Sequence, residues 1–233
     1  RSMYDLSLLV EFGRPRAWYI DGPRREPVRL GDWVGDVNQG GGVNFFDVHF
    51  NPHAHGTHTE SLGHVVRETR HAVDLGISPW LSARVVRIPA PKLLTLEALR
   101  ASPAALFDYE ALVLATQEGD LSQRDWRQTN PPAIEPAALA WLAEHGVRHL
   151  LVDLPSVDPE EDGGALAAHR AFWGLPLGSQ SASEARYPGA SITELIQVPT
   201  DCVEGRYKLN LSLAPMQGDA VPSRPILFPD GNV

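Results

Sequence analysis

Twenty prolines and twenty glycines cut this chain of 233 residues into short elements. Several of the apolar runs between them mix β-branched residues with an alternation of apolar and polar residues, which is typical of strands. The pattern therefore indicates a mixed α/β domain that is richer in strand than in helix. We predict strands at residues 4–10, 45–50, 83–88, 111–116, 149–154, 191–198 and 208–214.

Three further runs have the pattern of helices, at residues 94–102, 135–146 and 164–174. Pro136 lies near the start of the second run, and Gly146 is a suitable C-terminal stop. This helix is followed by an apolar strand with a polar end, as in an α/β layer, and functional sites often lie beyond such strand ends. Because no linker or internal repeat interrupts the chain, we predict one domain over residues 1–233.

The charge balance narrows the classes of partner. The formal net charge of -9 repels phosphate backbones and anionic lipid surfaces, so neither nucleic acid nor a membrane is an expected partner. No apolar run approaches the ~20 residues that a transmembrane helix needs. The single cysteine, Cys202, cannot form an internal disulfide, which fits a reducing compartment, and we predict a cytoplasmic protein.

Four of the nine histidines are concentrated in the stretch FNPHAHGTHTESLGHVV at residues 50–66. If the strand before it continued, Asp47, His49, Asn51, His53 and His55 would share one face. His58 and Glu60 are two residues apart, so an extended chain points both side chains the same way.

Imidazole and carboxylate groups suit Zn²⁺, Mn²⁺ or Fe²⁺, and the stretch contains no cysteine for a thiolate-based structural zinc site. An open, catalytic metal site is the first interpretation. A chance cluster of polar residues at a strand end is the alternative that spacing alone leaves open.

The motif HGTHTESLGH resembles the H-x-G-T-H-x-D-x-P-x-H signature of the cyclase-type metal-dependent hydrolases, a family that includes bacterial kynurenine formamidase and isatin hydrolase. Further segments resemble the same family in the same order. ARVVRIP and ALVLATQ look like its central strands, LAEHGVRHLLVDLPSVDP like its T-D-x-P-S-x-D segment, and AAHRAFWG with ITELIQV like its late ligand region. GRYKLNLSLAPMQGDAVPSRPIL is similar to its closing strands, so the resemblance spans nearly the whole chain.

This resemblance implies a swivelling β/β/α fold, a homodimer or homotetramer, and one or two divalent ions, Zn or Mn. His58, Glu60, His169 and Glu194 would then be metal ligands, and His64 the general acid/base. The family's first histidine falls on Ala54, so His53 or His55 must replace it, and we prefer His53. Glu60 stands where the family usually has aspartate, and Leu62 where it has proline.

The implied reaction is hydrolysis of an amide bond, in a formamide or a cyclic amide of a small molecule that can be aromatic. Metal coordination can lower the pKa of bound water from 15.7 to roughly 7, and a histidine can accept and return the proton that the leaving nitrogen needs. Two alternatives remain open. The chain could bind a metal or small molecule without catalysis, because Ala54, Glu60 and Leu62 depart from the signature, or it could hydrolyse esters or lactones.

Overall fold

The computed structural model describes residues 2–90, 92–102, 104 and 106–230. Its strands are β1 Tyr4–Asp5, β2 Arg24–Pro27, β3 Arg29–Leu30, β4 Trp33–Val34, β5 Phe46–His49, β6 His58–Glu60, β7 Leu81–Arg87, β8 Leu93–Leu94, β9 Ala111–Ala115, β10 Ala133–Ile134, β11 His149–Val152, β12 Ser191–Glu194, β13 Gly205–Leu213 and β14 Ala220–Pro229. The α-helices are α1 Pro52–His55, α2 Leu96–Ala101, α3 Pro136–Glu144 and α4 Ala167–Trp173. The 3-10 helices are Val37–Gln39, Leu62–His64, Ala72–Leu75 and Ala182–Glu184.

Seven strands close into a barrel in the order β14, β13, β7, β9, β11, β12 and β6, with β6 pairing back onto β14. β7, β9, β11 and β12 run parallel to one another, whereas β13, β14 and β6 pair antiparallel with each other and with the outer two of these strands, β7 and β12. Every residue of β9, β11 and β12 is buried, as expected for parallel strands that are covered on both faces. The strand-rich α/β prediction is confirmed.

The two faces of these strands contribute to two separate cores. Leu112, Leu150 and Val152 pack with the apolar residues of α3 and α4, whereas Val113 and Leu151 pack with residues of β7 and β13 on the opposite face. This alternation is the two-residue period of a strand. Helices therefore cover the outer side of the barrel wall, and side chains of the strands fill the inner side.

The predicted helices are present, and the two glycines that follow the last two helices have left-handed backbone. Gly146, after α3, has φ 98°, and Gly174, directly after α4, has φ 62°. These conformations cost a residue with a Cβ atom more than they cost glycine. No helix in the described part of the chain has both the length and the apolar character needed to span a membrane.

The prediction that residues 47–55 continue as one extended face is wrong. β5 ends at His49, and α1 begins at Pro52, because proline at the first helical position is pre-organised for a helix. Successive residues of a helix turn by roughly 100°, so His53 and His55 point in nearly opposite directions. His49 stays outside this helix, nearly half exposed and 4.0 Å from Glu26.

Candidate metal centre

Three of the predicted ligands come together through the pairing of β6 with β12. His58 and Glu60 point to the same face of β6 because they are two residues apart, and the register places Glu194 directly opposite His58. All three side chains are buried. His58 Nδ1 donates to the carbonyl oxygen of Gly56 at 3.0 Å, and His58 Nε2 faces Glu194 Oε2 at 3.3 Å.

His169 reaches the same place from α4. Its Nε2 lies 2.7 Å from Glu60 Oε1 and 3.4 Å from Glu194 Oε1. Its Nδ1 donates to Asp158 Oδ2 at 2.6 Å. Asp158 also accepts the backbone N–H groups of Ala168 and His169, so one carboxylate holds both the first turn of α4 and the imidazole ring.

His53, not His55, belongs to this cluster. His53 Nδ1 lies 3.2 Å from Glu60 Oε2. His55 instead accepts a hydrogen bond at Nδ1 from the backbone N–H of Asn51, and its Nε2 contacts the carbonyl oxygen of Asp21 at 2.8 Å. The helical turn at α1 therefore places His53, and not His55, beside Glu60.

His64 lies at the end of the 3-10 helix Leu62–His64, which Ser61 caps by accepting from the Gly63 N–H. The ring of His64 stacks on that of His53 with centroids 4.3 Å apart. Its Nε2 points toward Glu60 Oε2 at 4.0 Å. Its Nδ1 contacts Asp219 Oδ2 at 3.1 Å, and the same oxygen lies 2.9 Å from His53 Nε2.

The donor atoms at the centre fit a divalent cation. His58 Nε2, His169 Nε2 and both carboxylate oxygens of Glu60 are buried and have no aligned hydrogen-bond partner among the described residues. Unpaired buried polar atoms are costly, and buried charges are normally paired or coordinate metals. Two sets of three ligand atoms, each within 4.8 Å of one another, include Glu60: one with His53 and His58, the other with His64 and His169. Nitrogen and carboxylate donors of this kind suit a divalent transition-metal ion.

A family model described as "Putative cyclase" matches residues 4–159. The chain belongs to this family. The predicted recognition is thereby confirmed, and the matched segment contains β6, the 3-10 helix of His64 and Asp158. His169, Glu194 and Asp219 follow that segment in the chain.

This cyclase-family chain also resembles known proteins in sequence and in fold. The kynurenine formamidase of Geobacillus thermodenitrificans (strain NG80-2) is 28% identical over 152 residues, which are 60% of this chain and 70% of that one. A predicted metal-dependent hydrolase from Bacillus stearothermophilus has a similar fold, with a TM-score of 0.64 at 18% identity over 97% of each chain. Isatin hydrolase A from Labrenzia aggregata has a TM-score of 0.65 at 14% identity over 97% of this chain and 92% of that one.

Two of the departures from the cyclase signature, Ala54 and Leu62, are buried. Ala54, at the position of the family's first histidine, is fully buried, and its carbonyl oxygen accepts the N–H of Ala17. His53 faces Glu60 from the preceding helical position. Leu62, which replaces the usual proline, packs in the core beneath α3 and α4.

The electrostatics of the cyclase-family centre favour positive charge. Burial opposes ionisation of Glu60, yet the charges of His169 and His64 hold the pKa of Glu60 well below its usual range. Burial likewise opposes protonation of His53, but Asp219 and Glu60 raise the pKa of His53 to about 10. The pKa of His169 is also raised, against its burial, by Glu60 and Asp158. The negative charge of these carboxylates can thus be balanced either by protons on the histidines or by a divalent cation.

Sequence reasoning missed two carboxylates of the site. Asp158 lies in the segment that resembles T-D-x-P-S-x-D, so its aspartate was a usable signal. Asp219 lies in the turn before β14, and its pKa is lowered chiefly by its hydrogen bonds with His53 and His64. Spacing could not reveal Asp219, because it is 166 residues from His53 in the chain.

Proposed function

We propose that this chain is a metal-dependent hydrolase that cleaves the amide bond of a formamide or cyclic amide in a small molecule. One observation carries the proposal. Each of the four imidazoles contacts a hydrogen-bond acceptor through one nitrogen and faces Glu60 or Glu194 with the other. An acceptor that is hydrogen-bonded to one ring nitrogen fixes the tautomer and the orientation of a histidine that binds metal through the other nitrogen.

The residues that would hold the metal are His53, His58, Glu60 and His169, together with Glu194, which faces His58 and His169, and Zn²⁺ or Mn²⁺, as one or two ions, fits their donors. When bound, the metal supplies Lewis acidity, which polarises a carbonyl oxygen and can lower the pKa of a water molecule from 15.7 to roughly 7. Buried carboxylates alone supply neither effect.

His64 is the residue proposed to move the proton. An amide nitrogen must be protonated before it departs, and an imidazole can accept and return a proton near neutral pH. With Nδ1 hydrogen-bonded to Asp219, the Nε2 atom of His64 is the nitrogen that faces Glu60. His64 thus directs Nε2 toward the centre, while its Nδ1 is hydrogen-bonded to Asp219.

Substrate would approach from the side of His53, His64 and Asp219. Their side chains are 24%, 25% and 41% exposed, whereas those of Glu60, His58, His169 and Glu194 are at most 3% exposed. The indole N–H of Trp18 donates to the backbone carbonyl oxygen of His53 at 3.0 Å, and the Trp18 ring packs on the apolar cluster of Leu8, Ala17, Leu121, Trp126 and Leu195. Trp18 therefore helps to hold α1 in place.

The names of the relatives support the choice of bond. Kynurenine formamidase is named for a formamide, and isatin hydrolase for a cyclic amide. We therefore propose an arylformamidase-like activity as the first to test. A cytoplasmic location and a homodimer or homotetramer remain predictions from sequence.

The test is a hydrolysis screen of N-formyl arylamines, isatin and matched aryl esters, each with and without chelator. We expect at least one amide to be hydrolysed, the rate to vanish with chelator, and added Zn²⁺ or Mn²⁺ to restore it. His145→Gln, a variant of an exposed histidine on the far end of α3, should behave as the wild type. Stoichiometric metal without hydrolysis of any amide would favour a binding protein, and turnover confined to esters would favour an esterase.

A further inference from the structure

A single carboxylate oxygen links two histidines at the open side of the centre. Asp219 Oδ2 lies 2.9 Å from His53 Nε2 and 3.1 Å from His64 Nδ1. An ionised carboxylate only accepts hydrogen bonds, so both of these nitrogens must carry the proton. The two rings stack, with an angle of 30° between their planes.

We propose that Asp219 is a positioning residue that selects the tautomers of His53 and His64 together. Holding the proton on His53 Nε2 leaves His53 Nδ1 as the lone-pair nitrogen, and that atom is 3.2 Å from Glu60 Oε2. Holding the proton on His64 Nδ1 leaves His64 Nε2 as the lone-pair nitrogen, 4.0 Å from the same oxygen. One side chain thereby prepares a metal ligand and a proton acceptor at once. This inference rests on the proposed function for the roles of the two histidines.

A different role for Asp219 makes a distinguishable prediction. The carboxylate, His53 and His64 also offer three ligand atoms within 4.8 Å of one another, so Asp219 could itself coordinate an ion. In that case the nitrogens that face Asp219 would carry metal and no proton. The location of the two protons therefore separates a positioning residue from a ligand.

The fold allows the side chain of Asp219 to be changed by itself. The backbone carbonyl oxygen of Asp219 accepts the N–H of Ser61 at 2.9 Å, which anchors the turn independently of the carboxylate. The carboxylate is 41% exposed, so its loss opens no cavity in the core. Asparagine has the same shape but offers an N–H group as well as an oxygen, and it can hold either tautomer of a neighbouring imidazole.

The experiment compares the wild type with Asp219→Asn, Asp219→Glu and the control Asp74→Asn, which changes an exposed acid on the nearby 3-10 helix Ala72–Leu75. Zn²⁺ affinity is measured by competition with a chelating dye, and kcat and KM at saturating Zn²⁺. Histidine protonation is read from ¹H–¹⁵N spectra of the Zn²⁺-loaded protein at about pH 8.5, well above the ordinary imidazole pKa of ~6.5.

For Asp219→Asn we expect Zn²⁺ affinity and kcat to fall by about 10–100-fold each, with KM changed less than about twofold. The spectra should show protons on His53 Nε2 and His64 Nδ1 in the wild type, and a mixed population on His64 in the variant. Asp219→Glu should recover part of the loss, and Asp74→Asn should match the wild type. Unchanged affinity and kcat in Asp219→Asn, or metal on the nitrogens that face Asp219, would overturn the proposal. If the wild type binds Zn²⁺ but hydrolyses no amide, the proposed function fails while the spectra and affinities still decide the role of Asp219.

Discussion

His169 Nε2 lies 2.7 Å from Glu60 Oε1, and neither atom has an aligned hydrogen-bond partner among the described residues. The two residues come from α4 and β6, more than one hundred positions apart in the chain. Two buried groups that approach so closely without a hydrogen bond require a positive charge between or upon them. A divalent cation bound there would supply that charge.

Glu60→Gln should abolish tight metal binding. The substitution keeps the volume of the side chain but removes the charge that faces three imidazoles, so we expect Zn²⁺ affinity to fall at least ~100-fold, beyond the usual effect of an outer-shell change. Calorimetric titration of the metal-free protein measures the affinity. Glu97→Gln, on the exposed side of α2, is the matched control. Equal affinity in wild type and Glu60→Gln would remove Glu60 from the ligand set.

His64→Ala should separate turnover from metal content. Because His64 is proposed to carry a proton rather than the metal, the variant should keep its metal and lose about 10²–10⁴-fold in kcat. Metal content and steady-state rates on the same preparation give both quantities. Loss of metal together with activity would instead make His64 a ligand, which its distance of 4.0 Å from Glu60 also permits.

Asp158→Asn should weaken metal binding, although Asp158 is not one of the proposed ligands. Asp158 holds His169 through Nδ1 at 2.6 Å, and loss of such an outer partner typically costs 10–100-fold in metal affinity or activity. Asparagine retains an oxygen for the Ala168 N–H, so α4 should still fold. Glu161→Gln, exposed and three residues away, is the control. Wild-type affinity in Asp158→Asn would show that α4 packing alone orients His169.

The buried His149 should make the stability of the protein depend on pH. Burial lowers the pKa of His149 to about 4, and its Nδ1 contacts Ser191 Oγ at 2.8 Å. In the unfolded chain histidine has a pKa of ~6.5, so between pH ~6.5 and ~4 only the unfolded state gains this proton. The free energy of unfolding should therefore be unaffected by this group above pH ~6.5 and should fall by about 3 kcal/mol as the pH drops through that window.

Urea unfolding of the wild type and His149→Gln across this range measures the difference. The variant should lose stability less steeply with acidification, whereas His145→Gln, at an exposed position in the same helix–strand connection, should follow the wild type. Parallel curves for the wild type and His149→Gln would show that His149 does not titrate differently in the two states.

Much of the fold followed from the sequence, because short apolar runs and glycine stops are local signals. Closure of the barrel did not, since it depends on β14, where Pro222, Pro225 and Pro229 hide the strand pattern. Only the family resemblance indicated closing strands there. On one edge β14 pairs with β6 at its start and with β1 at Ile226 and Leu227, and on the other edge it pairs with β13 from Ser223 to Pro229.

Most residues of the candidate site could be predicted from residue types, spacing and the family resemblance. Spacing placed His58 and Glu60 on one face, and the resemblance added His64, His169 and Glu194, which the structure brings to the same place. His53, and not His55, faces the site because residues 52–55 form a short helix. The sequence pattern suggested a continued strand there and did not reveal this helix. Asp219 could not be predicted, because the turn before β14 brings it to the site from the other end of the chain.

The most direct test of the central claim is elemental analysis of the protein purified without added metal and then dialysed against Zn²⁺ or Mn²⁺. We predict one or two divalent ions per chain in the wild type, and almost none in a variant that combines His58→Ala with His169→Ala. Less than about a tenth of an ion per wild-type chain after dialysis, or the same content in both proteins, would contradict the account.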